Sequence, residues 1–166
     1  DFVPSLSTFG HLYELLEQEQ FQHLRVMPEF PEKYNFWHAR MGHHTIDPLH
    51  PESIQVIRSL IDQYAPHFTS DIFNICCDET FDLKNYPDPT QDTGRLYVDF
   101  VQKIIAHVQS KGKRVMMWAD ILLLLCGPAN KHTANDNTSG VVTVLDTMQA
   151  IPSDQRSQTA FILFDL

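Results

Sequence analysis

The strongest constraint on this chain is an alternation of helical and strand-like apolar patterns. Behind Pro51 and Glu52, which suit the first turn of a helix, Ile54, Ile57, Leu60, Ile61 and Tyr64 fall at helical spacing. Phe73-Asn74-Ile75-Cys76 follows as a short apolar run and reads as a strand buried on both faces. Leu96, Tyr97, Phe100, Val101, Ile104, Ile105 and Val108 return to helical spacing, closed by Lys111 and Gly112 as favourable C-terminal chemistry. Arg114-Val115-Met116-Met117-Trp118 is the next strand. Parallel neighbours need a long crossover, usually a helix, so this order predicts an α/β chain with a parallel sheet covered by helices.

Before this core, Phe2 to Leu6 reads as a short extended segment, because Pro4 holds the residue before it in β or polyproline angles. Ser7-Thr8-Phe9-Gly10 then turns into a predicted helix from His11 to Gln20, with Leu12, Leu15 and Leu16 on one face. Residues 25–50 carry no clean period and hold four of the histidines, which marks a loop too long for a plain connection. Beyond Asp120 come a polar stretch from Pro128 to Gly140, a β-prone Val141 to Leu145 and a last apolar strand, Phe161 to Phe164. Polar residues collect at three strand C-terminal ends: Ser7 to His11, Asp78-Glu79, and Trp118 to Asp120. That edge carries the site in barrels and open α/β sheets alike.

A length of 166 residues predicts one domain with a single sizeable core. The net charge of −9 and the absence of a Lys/Arg cluster argue against a nucleic-acid partner. The longest strongly apolar run, Ile121 to Cys126, is far short of the ~20 residues of a membrane span. The N-terminus has neither an initiating Met nor the features of a signal peptide, so the chain reads as an excised piece of undetermined localisation. Three cysteines cannot all pair within one chain, and Cys76 and Cys77 read as reduced, buried thiols, a feature that leans towards a cytoplasmic setting.

Asp78-Glu79, at the end of a buried strand, is the sharpest chemical feature. Two adjacent carboxylates repel when both are ionised, so one pKa should rise unless a cation or hydrogen bonds compensate, and a raised carboxyl can act as a general acid near neutrality. The plainer alternative puts the two side chains on opposite faces, one capping a helix and the other solvated. His38, His43 and His44 invite a metal reading with Cys76, Cys77 or Asp47. No His-x-x-x-His or Cys-x-x-Cys spacing supports it, and no metal or other cofactor is expected. Cys77 makes a poor nucleophile beside two carboxylates that raise its pKa.

Phe73-Asn74-Ile75-Cys76-Cys77-Asp78-Glu79-Thr80-Phe81-Asp82-Leu83 resembles the catalytic strand of glycoside hydrolase family 20, the β-N-acetylhexosaminidases, in which small residues precede an Asp-Glu pair. Ser7-Thr8-Phe9-Gly10-His11 is similar to the family's Gly-His turn, Thr45-Ile46-Asp47-Pro48 to the segment opening the next helix, and Met117-Trp118-Ala119-Asp120 to the following strand end. The four segments occur in family order. The resemblance implies a (β/α)8 TIM-barrel fold. Because a complete barrel needs about 250 residues, residues 1–166 would form a single partial catalytic domain, an incomplete barrel of about four strand–helix units, roughly the third to sixth.

The resemblance also implies roles. Glu79 matches the general acid and base, and Asp78 the residue that orients the substrate's 2-acetamido group, whose own oxygen attacks the anomeric carbon. His11 matches a histidine bonded to the acid, Trp118 an aromatic wall of the acetamido pocket, and Asp120 a group that bonds a sugar hydroxyl or caps the next helix. The implied partner is a carbohydrate with terminal N-acetylhexosamine. A partial barrel also leaves edges open to self-association. The sequence departs from the family where the double Cys replaces the more usual Gly at one or both places before Asp78, and where Lys84-Asn85-Tyr86-Pro87 follows Leu83 in place of Gly. The family's sugar-binding arginine and later tyrosine have no counterparts. Two other classes stay open: a non-catalytic remnant that binds carbohydrate or is purely structural, and a metal-dependent α/β hydrolase using His43, His44 and Asp78.

Overall fold

The computed structural model describes residues 2–27 and 44–118, together with the backbone of 159–162. Three parallel strands, β1 (Ile72–Asn74), β2 (Arg114–Trp118) and β3 (Thr159–Ile162), lie side by side in chain order. Phe73 pairs with Val115 and Met117 with Phe161. On the free side of β1, Ser5 forms a parallel bridge to Asn74, with Leu6 N donating to Asn74 O at 3.0 Å and Asn74 N to Pro4 O at 2.8 Å. The extended Phe2 to Leu6 segment is therefore a fourth parallel neighbour, and the chain ends of all four point to one edge. The expected α/β architecture with a parallel sheet is present.

Two long helices cross over between the strands. In α2 (Pro51–Tyr64) Pro51 opens the first turn, where its missing N–H costs nothing, and His50 caps the helix by accepting from Glu52 N at 3.3 Å. Its buried face carries Ser53, Ile57 and Ile61. In α3 (Thr93–Ser110) Asp92 caps by accepting from Arg95 N at 3.0 Å, and Leu96, Tyr97, Phe100, Val101, Ile104 and Val108 face inward. Gly112, at φ 75°, ends the helix in the left-handed conformation that glycine adopts without penalty. Asp62 on α2 meets His107 Nε2 on α3 and Nζ of Lys111, the residue that caps the end of α3, both at 2.8 Å.

The predicted helix over His11 to Gln20 is much shorter. Helix α1 spans only Tyr13–Leu16, and a 3-10 helix follows at Glu19–Leu24. Gln18 is extended between them, because the chain must turn back to lay Arg25 antiparallel to Ile46. Arg25 Nε and Gln22 Nε2 donate to Leu16 O and Glu17 O, each at 2.9 Å, and so satisfy carbonyls that a longer helix would have bonded. Leu12 and Leu16 are buried as the pattern required. β1 also stops earlier than predicted, since the backbone leaves the extended region at Cys76, and the last strand begins two residues ahead of the predicted Phe161 to Phe164 and shares Phe161 and Ile162 with it. Asp120, His38, His43, Cys126 and Val141 to Leu145 lie outside the described residues. Among the described residues no helix is long and apolar enough to cross a membrane.

The core is continuous from sheet to helices. Phe9 stacks on Tyr97 with ring centroids 5.4 Å apart and packs against Phe100 at 4.7 Å, so the turn before His11 is anchored on α3. Ile57, Ile61, Phe73, Ile75, Ile104 and Val115 complete the layer between sheet and helices.

Candidate active site

At the C-terminal edge of the sheet, the turn after the first extended segment meets the loop after β1. His11 Nε2 stands 3.2 Å from Asp78 Oδ2 and 3.2 Å from Glu79 Oε2. A neutral imidazole has one proton at that nitrogen to share between two carboxylates, whereas a charged one pairs with both. The His11 and Glu79 side chains are about 40% exposed, at 41% and 39%, and Asp78 is 23% exposed, so the trio opens to solvent. Ser7, His11, His44 and Glu79 line a cleft of about 1030 Å³, room enough for a small-molecule ligand.

This convergence depends on a close backbone approach. A Cβ at Gly10 would collide with the Asp78 carbonyl oxygen and crowd the Glu79 carbonyl at 3.3 Å, so only glycine lets the two loops touch. Among the described residues, four that are not glycine adopt left-handed φ: His11 (56°), Cys76 (58°), Cys77 (66°) and Glu79 (48°). Each costs about 1–2 kcal/mol against the ordinary regions, and such strain persists only where surrounding bonds over-determine it. The bonds are present. Thr8 Oγ1 donates to Ile75 O at 2.6 Å, Trp118 N to Cys76 O at 3.0 Å, Tyr97 Oη to Cys77 O at 2.8 Å and Phe81 N to Glu79 O at 2.7 Å. Cys76 N itself donates to Asn74 Oδ1 at 3.0 Å.

A second tier holds His11. His44, buried, accepts from His11 N through Nδ1 at 3.1 Å and stacks on the His11 ring with centroids 5.4 Å apart. Because Nδ1 accepts, the neutral His44 ring carries its proton on Nε2. The backbone of His44 and Thr45 donates in turn to the buried Asp82 carboxylate, at 3.2 and 3.1 Å. Tyr86 Oη donates to Asp47 Oδ1 at 3.0 Å, and burial, followed by that bond, pushes its pKa up to about 12.

The structure thus brings together His11, Asp78 and Glu79, with Trp118 at the neighbouring strand end. Trp118 is half-buried, and its backbone N–H donates to Cys76 O at 3.0 Å. His44, weighed as a metal ligand with His43 and Asp78, accepts from the His11 backbone through Nδ1. Both described cysteines are free and buried, and burial, more than the neighbouring Asp78, pushes each thiol pKa up, as befits inert thiols. Asp82, Tyr97 and Thr8 were not singled out by motif. The one signal for Asp82 is a carboxylate set between Phe81 and Leu83 in an apolar context.

No family model matches the chain. Bovine (Bos taurus) hexosaminidase D is 24% identical over 132 residues, covering 74% of this chain and 35% of that protein. The chitobiase of Flavobacterium johnsoniae, a glycoside hydrolase family 20 structure, superposes with a TM-score of 0.59 at 18% identity, over 96% of this chain and 25% of that one. The family 20 exo-β-N-acetylglucosaminidase of Vibrio harveyi, solved with N-acetylglucosamine, gives a TM-score of 0.52 at 16% identity, over 89% of this chain and 24% of that one. The chain spans about a third or less of the length of these proteins. In sequence and in fold, it resembles part of the catalytic domain of the glycoside hydrolase family 20 β-N-acetylhexosaminidases.

Proposed function

We propose that residues 1–166 are part of one (β/α)8 barrel domain that removes terminal N-acetylhexosamine from carbohydrates by substrate-assisted, retaining hydrolysis. The observation that carries the proposal is His11 Nε2 at 3.2 Å from both Asp78 and Glu79 on the C-terminal edge of consecutive parallel strands. Glu79 donates its proton to the glycosidic oxygen as the C1–O bond breaks. The acetamido oxygen of the substrate bonds to C1 from the opposite side, and Asp78 accepts from the acetamido N–H as positive charge develops there. Glu79, now a carboxylate, removes a proton from water, which attacks C1, opens the oxazolinium ring and returns the acetamido group. His11 bonds to both carboxylates and orients them. Trp118 supplies an apolar wall for the acetamido methyl, and Asp120 bonds a sugar hydroxyl or caps the next helix.

The test is release of chromophore from an aryl N-acetyl-β-glucosaminide and from the matching aryl β-glucoside, using this chain and any longer gene product that contains it. Cleavage of the acetamido sugar alone, lost in Glu79→Gln, supports the proposal. Equal cleavage of both sugars refutes substrate assistance. No cleavage by any form refutes the hydrolase and leaves the carbohydrate-binding or structural remnant.

A further inference from the structure

His23, His50 and Glu52 place three potential ligand atoms within 4.8 Å of one another, on side chains that the Asp78–Glu79 site does not use. His23 lies in the 3-10 helix Glu19–Leu24, His50 is the N-cap of α2 and Glu52 is in its first turn. The two segments are fixed by backbone bonds: Val26 N to Thr45 O at 3.1 Å, Asp47 N to Leu24 O at 2.7 Å, and the Arg25–Ile46 bridge. His23 Nε2 is 2.8 Å from Glu52 Oε2, and the two imidazoles meet edge to face with centroids 5.2 Å apart.

We propose that these three residues form a surface site for a divalent first-row transition ion, with zinc as the reference. Two imidazole nitrogens and one carboxylate oxygen suit zinc, nickel or copper, whereas magnesium and calcium prefer all-oxygen shells. Zinc bonds of about 2.0–2.2 Å at tetrahedral angles need ligand atoms roughly 3.4 Å apart. The His23–Glu52 contact must therefore open by about half an ångström, which side chains 48% and 46% exposed accommodate by rotation. Water fills the fourth position. The partial positive charge of the α2 N-terminus opposes a cation, and the full negative charge on Glu52 offsets it. Bound metal ties the 3-10 helix to α2 and raises the melting temperature by mass action.

The test is calorimetric titration of the tag-free chain with zinc chloride in a non-chelating buffer. One saturable site is expected, weakened at least about tenfold in His23→Ala and Glu52→Gln, since even outer partners of metal ligands are worth about 10–100-fold. His50→Asn separates ligation from folding. Asn caps a helix as His50 does here, so the zinc-free melting temperature should hold while zinc binding weakens equally. Absence of a saturable site in the unaltered chain overturns the proposal, leaving an ion pair beside a helix cap. So does affinity unchanged across the three variants, which would put zinc elsewhere among the nine histidines and three cysteines.

Discussion

Gly10→Ala tests whether backbone contact between two loops builds the site. The added Cβ meets the Asp78 carbonyl oxygen, which must retreat by about an ångström to reach van der Waals separation. That carbonyl has little freedom, because Tyr97 Oη holds Cys77 O on one side and Phe81 N holds Glu79 O on the other. Overpacking costs about 1–3 kcal/mol, and an obstacle made of pinned backbone belongs at the upper end, about 3 kcal/mol. With a urea m-value of about 2 kcal/mol/M, the unfolding midpoint falls by about 1.5 M. Gly112→Ala is the comparison: nothing lies within 4 Å of its Cβ, and the cost is the left-handed φ alone, about 1 kcal/mol. In Gly10→Ala the His11 ring should also move relative to the carboxylates 3.2 Å away, visible as changed His11 ring chemical shifts by NMR. A Gly10→Ala midpoint within about 0.3 M of the unaltered chain, with the His11 shifts unmoved, would refute the close-approach account.

Glu79→Gln should lower cleavage of an aryl N-acetyl-β-glucosaminide by about 10²–10⁴-fold in whichever gene product is active, the range expected for a lost general acid, with little change in KM. Tyr97→Phe removes one hydroxyl and leaves Cys77 O buried without its donor, so denaturant unfolding should show a loss of about 1–2 kcal/mol with the aromatic stack intact. The Lys111 ammonium, and after it His107, hold the Asp62 carboxyl below its usual pKa of 3.8. A depressed carboxyl stabilises above its unfolded pKa, and that contribution fades as pH falls through the folded value. Asp62→Asn should therefore flatten the stability profile below about pH 4, and the half-exposed pairing limits the effect at pH 7 to under about 1 kcal/mol.

Local patterns were sufficient to read the sheet and its long helices. Pro51 and Gly112 mark helix ends by rules that act within one turn, and the apolar spacing of α2 and α3 returns as buried and partly buried positions packed on the core. The segment after His11 was misread because its helical spacing is real, with Leu12 and Leu16 buried, while its length is set by the return of Arg25 to Ile46. No window of neighbouring residues contains that demand. Asp82 escaped for the same reason, and His44 was legible only as a metal candidate: each matters through a bond to a residue more than 30 positions away.

The double Cys is the instructive case. The family resemblance marks it as a departure from Gly. In the structure both residues are left-handed, in a conformation glycine adopts freely, so the departure is chiefly one of backbone cost. Cys77 offsets that cost by burying its thiol fully against Thr8 Oγ1 at 3.3 Å, and Cys76 by packing its thiol against Ser5 Oγ at 3.2 Å. Both hydroxyls belong to the segment that ends in Gly10-His11. The same substitutions that strain the Asp78–Glu79 loop therefore bond it to the strand carrying His11. Local rules fail where this chain assembles its carboxylates, and the compensation comes from the neighbouring strand that the proposed chemistry requires.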